Sequence, residues 1–429
     1  MNTQANPFLQ ESAVISQFPG FGPVRAHQLS GYLSIGDDAG GWLYFWFSEA
    51  ASNPENAPLL VWINHAAEQN ALACLFDGHG PYLLDESGCV HANPFSWHLH
   101  ANYLIIDQPL GHGLSFLSHP RYQPANYEES SQQTYHALQE FLLRWPRYRQ
   151  LDCYLFGVGQ ACHTQAHLAH RILDGNHGGQ PEIRLRGLGL GNALIAPEIQ
   201  LQSHIEFACQ HRLIHAEEKR RAEALLQDFR QANASPSPLQ RQRANQLAKE
   251  LELYIEQCSG RDSQDIRLPP GRAHAQLGDY LAKPAARQAL HIDPRALKPP
   301  PPFAVQQAAW QESSSHLFPR LMEKLKLLFF HGECSMQGNH HGMEAWLNTL
   351  CWSDAAVFRQ QKRETWQPYG LPAGQFLRHN QLSHLIIHDA SKARSTYPSP
   401  RWKTSAPGWR KPTRALADCS PCAMRPSYR

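Results

Sequence analysis

Short apolar runs recur along the chain at Gly31–Ile35, Trp42–Phe47, Leu59–Ile63, Tyr103–Ile106, Cys153–Phe156, Leu185–Leu190, Leu325–Phe330 and His384–Ile387. Several are unbroken by polar residues and flanked by Gly or Pro, the pattern of central strands buried on both faces. Helical patterns fall between them. Tyr135, Leu138, Phe141, Leu142 and Trp145 share one helical face behind an acidic start at Glu128-Glu129. Ala161–Leu173 reads as a second helix. Strands alternating with helices in this way predict an α/β architecture: a mixed, mostly parallel central sheet flanked by helices.

A chain of 429 residues, 42% of them hydrophobic and 11 of them Trp, can bury one large α/β domain with an insertion, or two domains. Residues 197–300 differ in character. They carry two charged amphipathic helices, Ala216–Arg230 and Leu239–Gln257, joined by the turn-rich Asn233–Pro238. They read as a helical cap inserted into a core made of 1–196 and 301–391, with the proline run Pro299–Pro302 as a stiff return. The net charge of +2 hides a basic, Pro-rich tail at 392–429 with nine Lys/Arg and one acid, which leaves about −6 for the rest. Such a tail is expected to be solvated and disordered.

Met1–Phe18 lacks a basic region followed by an apolar run, and no apolar stretch reaches the roughly 18–20 residues that span a bilayer. On these grounds the chain is expected to be soluble and cytoplasmic. Its 10 Cys then read as free, mostly buried thiols. Cys419 and Cys422 form the one tight pair and have no second pair at zinc-ribbon spacing.

Cys153–His163 has the order of a strand, a glycine turn and a helix. In a G-x-S-x-[AG] nucleophile elbow the turn lifts a serine hydroxyl above the sheet, within reach of a histidine. Here the apex is Gly159, which has no side chain to form an acyl-enzyme.

Longer motifs connect these pieces. The Gly80-Pro81-Tyr82 turn and Asn93-Pro94-Phe95-Ser96-Trp97 precede the block Ala101–Phe116, which contains Asp107-Gln108-Pro109-Leu110-Gly111-His112-Gly113-Leu114-Ser115. Leu188–Asn192 and Asp265-Ile266-Arg267 follow. Together they resemble the serine carboxypeptidase family over about residues 18–391, which implies the α/β-hydrolase fold. The family's G-x-G in A-N-x-L-x-x-D-Q-P-x-G-x-G-x-S is Gly111 and Gly113 here.

The resemblance also says where function should lie. The family's W-L-N-G-G-P-G-C-S-S is matched by Trp62–Ala71, which places Asn64 in the carboxylate-binding set and Ala66 and Gln160 at the oxyanion-equivalent positions. Gln69 stands at the family's cysteine. In G-E-S-Y-A-G-H the serine becomes Gly159 and the glutamate that shares a proton with the substrate carboxylate becomes Val158; that glutamate's usual partner aligns with Gly78. The triad acid's place falls on Ser335 and the triad histidine's on Lys392. Catalytic residues are therefore expected to be absent, because loss of one triad member alone typically lowers kcat by ~10⁴–10⁶. Asn64, His65, Trp97 and Gly113 are the expected ligand-binding residues. The abrupt change at 392 also suggests a shift of reading frame or gene model there.

Other chemistry has two readings each. His163 and His167, at i,i+4 on one helical face, could with His65, Cys162, Cys334, His340 and His341 suggest a transition-metal site; the alternative is that His163 matches a histidine the family has after the elbow. Cys162 is a substitute nucleophile or a small residue for helix–strand packing. Cys334 reads as a core thiol. His65 and Glu68 are a general acid/base pair or drifted surface positions.

The sequence thus predicts a non-catalytic homologue binding a peptide-like ligand or protein partner, with no metal, cofactor, nucleic acid or membrane, and with a homodimer left open. The competing reading is an active serine-type carboxypeptidase or acyltransferase with displaced catalytic residues; a decayed gene product is a third. The resemblance itself implies a secreted or vacuolar protein, against the missing leader.

Overall fold

In a computed structural model, which describes residues 14–36, 40–65, 71–76, 78–85, 87–270, 275–297 and 312–392, every one of the apolar runs lies in one sheet. Two antiparallel pairs, β1 (Gln17–Phe18) with β2 (Gly22–Pro23) and β6 (Tyr82–Leu84) with β7 (Val90–Ala92), stand apart from it. The sheet contains β3 (Gln28–Ile35), β4 (Gly41–Ser48), β5 (Leu59–His65), β8 (Asn102–Gln108), β9 (Phe116–Leu117), β10 (Cys153–Val158), β11 (Leu185–Gly191), β12 (Lys326–Gly332), β13 (Glu364–Trp366), β14 (Gly374–His379) and β15 (Leu382–Ile387). Its order is β13-β14-β15-β12-β11-β10-β5-β8-β4-β3, with β9 on β4. The strands from β8 to β15 in that order run parallel; the pairs at both edges are antiparallel.

Burial on both faces explains the unbroken apolar runs. Leu59, Val61 and Ile63 of β5 point to one face and meet the helices Tyr127–Arg144 and Ala161–His177; Leu60 and Trp62 point to the other. On the first face Phe45 and Phe47 pack edge-on or tilted against Phe141 at 5.6 and 5.3 Å. Each such fully buried aromatic contributes at most about 2–3 kcal/mol. The helix Tyr127–Arg144 begins where Asn126 Oδ1 accepts the Glu129 N–H at 2.8 Å, with Glu128 and Glu129 in its first turn.

The helices Pro197–Gln210, Ala216–Asn233 and Pro238–Ser259 carry a core of their own, built from Leu201, Ile205, Leu225, Phe229, Leu247 and Leu251. Residues 277–297 turn back onto the second face of the sheet: Leu277, Tyr280, Leu290 and Ile292 join its core, and the Leu290 carbonyl accepts from the Tyr44 hydroxyl. The proline run at 299–302 and the tail beyond Lys392 lie outside the described residues.

Candidate functional site

The parallel strands end on a common side, and their C-terminal loops carry the positions singled out by the sequence. Gly159 follows β10 with φ +61, and Gln160 heads the helix Ala161–His177. The Gly159 N–H donates to Gly191 O at 2.9 Å and its carbonyl accepts from Leu194 N at 3.1 Å, which ties the turn to the end of β11. An L-residue in this left-handed region costs roughly 1–2 kcal/mol; glycine adopts it freely. The turn thus has elbow geometry without the strain a side chain would bring. Two residues earlier, a Cβ on Gly157 would lie 2.9 Å from Ile63 O and 3.2 Å from the Ala161 Cβ, so strand and helix approach closely beneath the apex.

Two neighbouring loops meet beside the elbow. After β12, Gly332–Ser335 turns tightly, with Ser335 N donating to Gly332 O at 3.2 Å. A Cβ on Gly332 would lie 2.4 Å from Ser391 O, so this loop is pressed against the one that follows β15. Cys334 N donates to Ala390 O, and Asn192, at the end of β11, donates its side-chain amide to Gly338 O. Ser335 is fully buried and its hydroxyl donates to Gln337 O at 2.8 Å. Lys392 is also buried, with Nζ 3.2 Å from Gln337 Oε1. Burial, helped by the Lys392 ammonium, pushes the His204 ring on the helix Pro197–Gln210 down to about 3.

A strap from the cap covers these loops. Ser263 O accepts from Met336 N and Gln337 N, Ile266 N donates to Cys334 O, and Gln264 O accepts from Lys392 N, each at 3.0 Å. Arg267 grips Asp265 in a bidentate pair and donates to Asp389 O at 2.7 Å. The Asp265-Ile266-Arg267 motif therefore fastens the cap over the ends of β12 and β15.

The other positions separate into walls and floor. Asn64 and His65 end β5, in register with Asp107 and Gln108 of β8. Ala66 and the rest of that loop through Asn70, Glu68 and Gln69 included, lie outside the described residues. Trp97 is 9% exposed: its ring stacks on His79 at 4.5 Å and meets Trp62 and Phe156 edge-on. It braces the floor, and the ligand contact expected of it would pass through little surface. Burial holds the His79 ring neutral, down to about 3. Asn93 supports the same region by donating to both Gly78 O and Gly80 O. Gly113, with φ +59, is exposed on the loop after β8. That loop is held by Asp107, whose carboxylate accepts from Leu114 N at 2.7 Å while Ser115 bridges its carbonyl to Tyr44 N.

The alternative chemistries find little geometric support. Cys162 is fully buried in the sheet–helix core with its thiol 3.8 Å from Gly157 O, below the elbow. Burial pushes the Cys334 thiol up to about 11, against the pull of Arg267. His163 bonds to Ser314 and stacks on Tyr127, whereas His167 lies near His316, so the i,i+4 pair serves different neighbours. Among the described residues no group of three His, Cys, Asp or Glu is arranged to hold a metal ion. Nor is any described helix long and apolar enough to cross a membrane.

Sequence reading passed over Gln337, which joins the Ser335 and Lys392 loops, and, though it named His340 as a possible metal ligand, it did not group it with His331, His384 and Arg363 behind them. Only the folded chain assembles those four from separate segments.

Residues 19–402, nearly the whole chain, match the family model described as serine carboxypeptidase. The chain belongs to the serine carboxypeptidase family. It is 26% identical over 344 residues to serine carboxypeptidase S10 family member 1 of Dictyostelium discoideum, covering 79% of this chain and 82% of that one. It is 23% identical over 374 residues to a probable serine carboxypeptidase, CPVL, of Mus musculus, covering 83% and 76% respectively. Among solved structures, the prohormone-processing carboxypeptidase Kex1 of Saccharomyces cerevisiae superposes with a TM-score of 0.73 over 92% of this chain and 91% of that one, at 17% identity. That likeness supports the α/β-hydrolase fold expected from the sequence.

Proposed function

We propose that this serine carboxypeptidase homologue does not catalyse peptide hydrolysis and instead binds a peptide-like ligand or protein partner through the cleft above the strand ends. The observation that carries this is Gly159 at the elbow apex, in the positive-φ conformation that an attacking serine would need but with no hydroxyl to present. Ser335 and Lys392 support the same reading. A hydroxyl has no charge to orient an imidazole, and an ammonium engaged with Gln337 accepts no proton.

The surroundings of the strand ends support the same reading. The Asp107-braced loop, the Trp97 floor and Asn64 at the end of β5 lie at the strand ends, and Gln160 still heads a helix, which supports ligand binding there. Of the inserted segment, the helices between Pro197 and Ser259, with the strap that follows them, are read as a cap over the strand ends, while 277–297 belong to the sheet core. The displaced-nucleophile reading has no comparable support, since Cys162 faces the core and the Cys334 thiol is held protonated.

The test is mass-spectrometric detection of C-terminal trimming in a mixed peptide library, comparing wild type with Gly159→Trp, which plugs the elbow. No trimming by either protein, with peptide binding weakened in the variant, is the expected result. Trimming by wild type that vanishes in the variant would refute the proposal.

A further inference from the structure

We propose that His331, His340 and His384, gathered around Arg363 behind the 332–339 loop, form an acid-triggered latch. It acts on the helix His340–Thr349, and its release uncovers the strand ends at Ser335 and Lys392. The proposal does not depend on whether the cleft is catalytic.

The cluster is assembled from four segments. His331 belongs to β12 and His384 to the neighbouring β15, and both are buried; their rings meet edge-to-face at 5.1 Å. His331 Nδ1 lies 2.9 Å from Gly338 O, so that nitrogen carries the proton and Nε2 the lone pair. His384 Nδ1 lies 2.9 Å from Arg363 Nη2, a donor, so its proton sits on Nε2. Arg363 also pairs with Glu344, one turn after His340 on the same helix. No described protein group meets Nε2 of either buried ring, Nδ1 of His340 or Nη1 of Arg363.

The charges around the cluster are unfavourable to a further proton. β12 contributes His331, β15 contributes His384, and the helix His340–Thr349 contributes His340, His341 and Glu344. The segment before β13 contributes Arg363, and the end of the helix Pro197–Gln210 contributes His211. Glu344 is the one carboxylate among them, and it is already engaged by Arg363. The same guanidinium makes the cluster a poor cation site. Burial, with Arg363 adding to it and against the bond to Gly338 O, pushes His331 down to about 4; burial with the neighbouring rings and Arg363 pushes His340 to about 3 and His384 well below its ordinary value.

The sign follows. When the segment opens, each ring regains an ordinary pKa near 6.5, so the open form binds protons that the closed form refuses. Closure is favoured above that value and is lost as pH falls from about 6.5 towards 4. Each histidine released raises the opening equilibrium roughly 25-fold between pH 7 and pH 5.

The cluster is mechanically joined to the loop it underlies. Asn339 caps the helix by accepting from Gly342 N at 2.9 Å and donates to Met336 O at 2.9 Å. Gly342 lies so close to the cap that a Cβ there would be 2.4 Å from Ser203 Oγ. Met336 and Gln337 in turn hold the strap through Ser263 O. Displacing His340 therefore disturbs the cap contact and the loop that bears Ser335 together.

Hydrogen exchange of the full chain, read by mass spectrometry and corrected for intrinsic rates, tests this at pH 7 and pH 5. Peptides from 332–347 should lose at least 25-fold protection on acidification and should stay less protected at pH 5 than β5 peptides, which report global opening. The His331→Gln/His340→Gln/His384→Gln variant should flatten the difference. If that variant does not fold, His340→Gln alone, whose ring is only partly buried, should reduce the pH effect by about 25-fold. Equal protection of 332–347 and β5 at pH 5, or an unchanged pH effect on 332–347 in whichever variant folds, would overturn the proposal.

Discussion

Restoring a serine at the elbow separates the backbone of the site from its chemistry. In Gly159→Ser the new residue must adopt φ +61, which costs about 1–2 kcal/mol. The unfolded chain also loses some of glycine's freedom, which offsets a fraction of that, so a net loss of about 1 kcal/mol is expected. For a chain of this size the urea slope is about 3 kcal/mol/M or more, so the unfolding midpoint should fall by roughly 0.3 M. The hydroxyl would stand at the elbow apex, yet the positions proposed for the acid and the base hold Ser335, donating to Gln337 O, and Lys392, donating to Gln337 Oε1. A fluorophosphonate probe should therefore label it ~10⁴–10⁶ more slowly than an intact triad serine. Labelling at the rate of an ordinary serine hydrolase would mean that an unrecognised base faces the elbow. It would refute the proposed absence of a triad. A rise in the unfolding midpoint would refute the strain argument.

Two further outcomes test the surroundings. Arg267→Ala removes the bidentate partner of Asp265, whose side chain is 9% exposed; because Arg267 itself is 35% exposed, the cost should be about 2 kcal/mol rather than that of a fully buried pair, read from the urea midpoint. At pH 8 iodoacetamide should modify the exposed Cys89, Cys258 and Cys351 but not Cys334, whose thiolate fraction at a pKa of about 11 is roughly one in a thousand. Cys334 reacting as fast as Cys258 would show that its loop is open in solution.

Eight strand positions were legible because a strand buried on both faces needs an apolar residue at every place, and few other elements do. The hairpin partner β14 was not, since Gln375, Phe376, Leu377, Arg378 and His379 alternate only loosely on a strand, next to the edge strand β13, that is mostly half-exposed. The elbow was readable because strand, turn and helix are contiguous, and Gly159 declared its lack of a side chain directly. The positions of Ser335 and Lys392 could be inferred by resemblance alone. That they share Gln337 depends on two loops brought together by the close approach at Gly332. The histidine cluster had no local signal as a cluster: its members are scattered from 331 to 384, the pairing of β12 with β15 brings His331 beside His384, and the helix His340–Thr349 and the segment before β13 supply the rest.

The strap over the strand ends bears on how such a chain can change. Four of its contacts, from Ser263, Gln264 and Ile266, run between main-chain atoms. Peptide groups are the same in every residue except proline, so this cover is indifferent to which side chains lie beneath it. Substitutions at 335 or 392 that keep the loops' course leave the lid's attachment intact. A roof fastened by the backbone lets the furniture below be exchanged without the house falling, and makes chemistry easier to lose here than shape.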